Sequence, residues 1–169
     1  MYRMGPHPYF YLTPYQADLQ AALEALRQRE FCAGRYYPAV DNLWEFTFPP
    51  TEASPAPGAQ HPSIEAALDA AADSGTGSIL DIQTVATTPT FFAASPVAEA
   101  VMLALWGTTQ PSASQLIELL LEGERDPADP SFDVEADFWE EIGRGEARYI
   151  VLYDNNEPSA IFFVGYPVD

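Results

Sequence analysis

Lysine is absent from this 169-residue chain, which sets seven arginines and two histidines against 25 aspartates and glutamates. The formal charge at neutral pH is -18. Nucleic-acid backbones are gripped by Lys and Arg side chains that displace condensed counterions, so a field of this sign argues against DNA or RNA as a direct ligand. It draws in a basic protein instead and speeds the encounter. The Ala, Pro and Arg usage is that of a GC-rich, bacterial type of coding sequence, which offers a genomic reason for the missing lysine.

Cysteine is nearly absent too. A lone Cys32 excludes an internal disulfide and any CxxC metal or redox pair. It follows Phe31 near the end of a predicted helix, where the negative end of the dipole raises a thiol's pKa, so it reads as a small buried filler rather than a nucleophile. Histidine is confined to His7 and His61, each directly before a proline in a segment that reads as mobile. A general base must be held in place by a third group, so neither is expected to be catalytic.

Long apolar runs are missing. The most apolar window, Val97 to Trp106, contains Glu99 and is far shorter than the roughly 20 residues that span a bilayer. The opening residues lack the apolar core of a secretory signal. These features predict a cytoplasmic protein with no membrane partner. Closely spaced glycines occur only in Ser74-Gly75-Thr76-Gly77-Ser78, which precedes a predicted strand, whereas a phosphate cradle opens a helix. The acidic run Asp126, Asp129, Asp133, Glu135, Asp137, Glu140 and Glu141 offers oxygen ligands but not the EF-hand order of a central glycine and a closing glutamate, and reads as a solvated face. No metal and no cofactor are expected.

What the chain does have is apolar material: 47% hydrophobic and 13% aromatic residues suffice for a core at a length where one core is usual. Residues 1–169 are expected to form a single acidic globular domain. Tyr9 to Leu12 reads as a strand. Thr13-Pro14-Tyr15-Gln16 then supplies a capping residue, a first-turn proline and a capping-box glutamine for a helix with Leu19, Ala22, Leu23 and Leu26 on its inner face, ending at Gly34. Leu43 to Phe48 alternates as a strand with Trp44, Phe46 and Phe48 on one side. Residues 49–62 gather five prolines and predict an exposed loop.

Ser63 caps a short helix through Ala72, and Ser78 to Val85 reads as a strand. Ser95-Pro96 repeats the cap-then-proline start before the apolar helix to Trp106, expected to be buried on every side. Ser112 and Gln115 form a capping box for the helix over Leu116 to Leu121, stopped at Gly123; Asp126 to Pro130 breaks the chain. Asp133 caps a helix with Val134, Phe138 and Ile142 on one stripe, ending at Gly143. Arg148 to Tyr153 and Ala160 to Tyr166 flank Asp154-Asn155-Asn156-Glu157-Pro158, a closing β-hairpin. The fold class is α+β, a mixed α/β order in which helices pack on a mostly antiparallel sheet of about five strands.

Two constellations could carry recognition. Arg35-Tyr36-Tyr37 sets a bidentate cation beside two aromatics, an arrangement able to bind a carboxylate or phosphate, or else to pair Arg35 with a local acid. Asp137, Trp139, Glu140 and Glu141 set an indole among acids, with Trp139 about 100° round the helix from Phe138, at the margin of the buried stripe. Its alternative is packing over the hairpin. No catalytic set assembles in the sequence. The leading reading is a non-enzymatic acidic interaction protein that binds a basic protein partner, of the inhibitor, antitoxin or immunity type. An accessory or structural subunit without chemistry and a small hydrolase using dispersed carboxylates are the alternatives.

Overall fold

The computed structural model describes residues 7–121, 128 and 132–168. The expected helix stop at Gly123, and Asp126 and Asp129 of the acidic run, lie outside them. The fold is α+β: a five-stranded sheet with helices against both faces. The strands are β1 (Tyr9–Pro14), β2 (Thr84–Val85), β3 (Ala93–Pro96), β4 (Ala147–Asp154) and β5 (Glu157–Gly165), in the spatial order β1-β5-β4-β3-β2.

The sheet is mixed, which corrects the expectation of a mostly antiparallel one. β5 runs antiparallel to β1 and β4, but β3 is parallel to both β4 and β2. For β3 and β4 the reason lies in the connection. A tight turn can only reverse a strand, as between β4 and β5, whereas the residues between β3 and β4 contain helices long enough to carry the chain back to the same end. At the hairpin turn Asn155 and Asn156 have φ of 50° and 64°, the left-handed pair that matches the twist of the flanking strands.

The first face of the sheet is covered by α1 (Leu19–Ala33), α2 (Ile64–Ala71) and the turn Ile79–Asp81. Ala22, Leu23, Leu26 and Phe31 of α1 pack there with Tyr9, Tyr11, Ile79, Leu80, Ile82 and Phe163. The second face carries α3 (Glu99–Trp106), α4 (Ala113–Leu116) with its continuation Ile117–Leu121, and α5 (Phe132–Glu140). Met102, Leu105, Leu116, Leu120, Phe138 and Ile142 meet Ile150, Leu152, Phe162 and Val164. Alternation along β5 therefore sends Phe163 to one layer and Phe162 to the other.

Several local expectations give way to tertiary pairing. The helix start at Thr13 is displaced: β1 continues through Pro14, paired to Ala160 on β5, and α1 begins at Leu19, with the Asp18 carboxylate accepting from Ala21 N–H at 3.0 Å. β1 is an edge strand, where proline is tolerated. Leu43 to Phe48 is not a strand but a 3-10 turn, Leu43–Glu45, and a bend. Its alternation records burial without pairing, since Phe48 lies on the rings of Phe10 and Tyr11 at 6.2 and 5.2 Å.

Of Ser78 to Val85 only Thr84–Val85 pairs. Ser78 instead caps the 3-10 turn, accepting from Leu80 N–H. Ser95 and Pro96 belong to β3, and the helix after them begins at Glu99 with no side-chain cap. That helix is not enclosed on every side: Met102 and Leu105 are buried, but Leu103 is 51% exposed. Cys32 is exposed rather than buried, because Glu30 and Phe31 take the inward positions beside it. α5 starts at Phe132, one residue before the expected cap, and ends at Glu140. The capping box of Ser112 and Gln115 is formed, and Gly34 ends α1 in the left-handed conformation.

Candidate functional site

The sequence places Glu30 on the inner face of α1, and a carboxylate there is tolerated only if its charge is met. Arg35 meets it. Its Nε donates to Oε1 at 2.8 Å and its Nη2 to Oε2 at 2.7 Å, a two-pronged pair with both side chains buried. Hydrogen bonding to Glu30 strengthens the hold of Arg35 on its proton. The third nitrogen donates to the Pro55 carbonyl at 3.3 Å. Gly58 N–H donates to Ala33 O at 2.8 Å, and a Cβ on Gly34 would strike the Gly58 backbone. The proline-rich segment, which holds no helix or strand, is thus pinned to the end of α1.

His61 belongs to this clamp rather than to a mobile segment: its Nδ1 shares a hydrogen bond with the Tyr36 hydroxyl at 2.8 Å, and that hydroxyl also accepts from Gln60 N–H. The three residues of the expected anion site face different surroundings. Arg35 turns onto Glu30, Tyr36 stacks on Phe31 in the core, and Tyr37 lies at the surface beside a cleft of about 480 Å³.

A second buried acid lies on the same face of the sheet. Asp81, 3% exposed, receives Thr76 N–H and Thr76 Oγ1–H on Oδ1, both at 2.8 Å, while Thr76 Oγ1 also meets Ser78 Oγ. Its Oδ2 has no hydrogen-bond partner among the described residues, and neither have the Tyr9 and Tyr11 hydroxyls. Burial pushes the Asp81 carboxyl above its ordinary range, against the pull of the Thr76 hydrogen bonds, the Gly77 backbone N–H and the charge of Arg27. Burial likewise holds both phenols protonated. The loop dismissed above as a phosphate cradle therefore has a different duty: its Thr76 N–H and hydroxyl steady an acid.

On the other face, α5 presents Asp137 and Glu140 to solvent, and Glu141 just after it is exposed too. Trp139 is half-buried, its ring edge-on to Phe138 at 5.2 Å and to Tyr166 at 6.4 Å. The indole thus lies between the helix stripe and the end of the hairpin, with the acids around it. Among the described residues no set of three or more His, Cys, Asp or Glu is placed to hold a metal ion, and no helix is long and apolar enough to cross a membrane.

Among the five described arginines Arg35 and Arg148 are buried and Arg27 is partly so, while Arg29 and Arg144 are exposed. Arg27 donates to Leu80 O at 2.9 Å, Arg29 to Glu30 and to Leu12 O, and buried Arg148 to the carbonyls of Ala147 and Glu141. Outside remain acids from every quarter of the chain, among them Asp18, Glu24, Asp41, Glu65, Asp69, Glu99, Glu118, Asp133 and Asp154. Sequence reasoning overlooked Glu30, Asp81 and the exposed pair Phe91 and Phe92. For Glu30 a signal existed: on a helix whose inner face is Leu23, Leu26 and Phe31, position 30 falls inside. The chain matches no family model, no curated protein and no solved structure.

Proposed function

We propose that this is a non-enzymatic, cytoplasmic interaction protein that binds a basic protein partner, in the manner of an inhibitor, antitoxin or immunity protein. The observation that supports the reading is the sorting of charge among the described residues: Arg27, Arg35 and Arg148 turn onto a buried carboxylate or backbone carbonyls, while most of the acids are exposed. A surface dominated by charge of one sign steers a basic protein into contact. The exposed face of α5 is the proposed contact, with Trp139 as its aromatic anchor and Asp137, Glu140 and Glu141 around it.

The test is a pull-down from native cytosol followed by titration of the recovered protein against wild type and the triple variant Asp137→Asn, Glu140→Gln, Glu141→Gln. All three acids are exposed, so stability should change by less than about 0.5 kcal/mol at each position. The expected result is a basic partner whose association slows with added salt and slows again in the variant. A partner indifferent to both would refute the reading, as would recovery of no basic protein.

A further inference from the structure

On the first face, away from α5, a cleft of about 330 Å³ opens between the end of α2, the paired rings of Phe91 and Phe92, and Val168. Its polar lining is acidic or neutral: Asp73, Asp81 and Gln83, with no arginine. Phe91 is 54% exposed and Phe92 36%, and their ring centroids lie 4.2 Å apart, so the pair leaves aromatic surface uncovered at the cleft. An exposed aromatic pair beside a buried acid is not what packing alone selects.

The inner wall holds the unpartnered oxygen. Gly75 lines the cleft, and a Cβ built on it would lie 2.9 Å from Asp81 Oδ2 and 3.3 Å from Val168 Cγ2. Oδ2 therefore lies against the backbone of a residue that lines the cleft, and it is a buried oxygen with no partner among the described residues. Gly75 has φ of 70°, which disfavours any other residue, so no side chain comes between its backbone and Oδ2. Val168, beyond the last strand, lines the cleft as well.

We infer that this cleft binds a cationic head, ammonium or guanidinium, carried on an apolar stem, with the head donating to Asp81 Oδ2 and the stem lying along Phe91 and Phe92. A carboxylate whose free oxygen is buried gains most from a charged donor, because such hydrogen bonds are the strong ones and water competes little there. The ring faces add cation–π attraction and cover the stem, and Asp73 keeps the mouth negative. An anionic ligand would meet two carboxylates and no cation in this lining. The head group has two sources, a free small amine or the Lys or Arg side chain of a protein.

Amide NMR of the full chain, titrated with butylammonium, butylguanidinium, neutral butanol and capped tripeptides centred on Lys or Arg, separates them. Both small cations should shift the amides of Gly75, Thr76, Asp81 and Phe92, and butanol should not. Asp81→Asn, which keeps the shape and the Oδ1 hydrogen bonds, should weaken binding at least about tenfold. Phe91→Ala, at a largely exposed position, should weaken it several-fold with the fold intact by circular dichroism. Tripeptides that bind with the same Asp81 dependence assign the site to a side chain; binding by the small cations alone assigns it to a free amine, and both support the inference. No shift at these amides overturns it, as does binding that butanol reproduces or that Asp81→Asn leaves unchanged.

Discussion

The two faces of the sheet are filled on different terms. The face under α3, α4 and α5 packs hydrocarbon against hydrocarbon, with the guanidinium of Arg148 at its margin on backbone carbonyls. The face under α1 and α2 encloses the Glu30–Arg35 pair, Asp81 with Thr76 and Ser78, and two tyrosine hydroxyls. The apolar face needs only volume and shape, and tolerates exchange of similar residues. The polar face depends on particular partners, since a buried charge is tolerable only while its counterpart stays in place. Stability can come from either; the unpartnered Asp81 Oδ2 and the Tyr9 and Tyr11 hydroxyls lie on the face under α1 and α2.

The contrast is broken most sharply at Glu30. Glu30→Ala leaves the Arg35 guanidinium buried without its carboxylate and should destabilise by about 3 to 5 kcal/mol, read from urea unfolding. The double change Glu30→Leu with Arg35→Met should recover most of that loss, because apolar side chains of similar size can replace a buried pair. A double variant no better than Glu30→Ala would mean that the pair is needed for its geometry, through the clamp on Pro55.

On the apolar face the effect is smaller and follows exposure alone. Leu105→Ala should cost about 2 to 3 kcal/mol, the low end for a leucine that is not wholly enclosed, whereas Leu103→Ala, one turn face away, should stay within about 0.5 kcal/mol. Equal losses at the two positions would contradict the arrangement of α3.

The smallest effect sharpens the comparison through pH. In the folded protein the Asp81 carboxyl holds its proton to higher pH than in the unfolded chain, so the folded state binds more protons across that interval. Its contribution to stability therefore falls as pH rises from the ordinary carboxylate range through the raised one. Asp81→Asn should change stability by less than about 1 kcal/mol near neutrality and should remove this fall, so the difference between variant and wild type grows in the variant's favour with rising pH. A difference independent of pH would contradict the raised value.

How far the sequence speaks differs between the same two faces. Regions whose structure is decided by neighbours along the chain were legible: the α1 stripe, the Ser112 capping box, the Asn155-Asn156 turn and the strands it joins. Where a segment had a choice, distant partners decided. Thr13-Pro14 has the chemistry of a helix start, yet backbone pairing with β5 extends the strand through it; Trp44 to Phe48 alternates like a strand but finds no edge to pair with. Asp81 was illegible for the same reason. Nothing in Ile79-Leu80-Asp81-Ile82 says that the acid will be buried beneath Gly75, because the Thr76 contacts that hold it depend on a 3-10 turn where alternation suggested a strand.

The pairing of Tyr9 with Gly165 has a consequence for how the chain comes together during synthesis. β1 is made first among the strands, but its partner β5 is made last, so the ribosome delivers nearly all of the described chain before β1 can be closed into a sheet. α1 can form early, yet the layer it covers is incomplete until then, leaving Tyr9, Tyr11, Leu23 and Leu26 without the Phe163 and Ile161 that enclose them. Assembly cannot be vectorial. The hairpin of β4 and β5, joined by a two-residue turn, is the fast local event, and docking of β1 across some 150 residues carries the large loop-closure entropy. Growing chains therefore expose apolar surface for most of their elongation, an interval in which a strong net negative charge keeps neighbouring nascent copies apart.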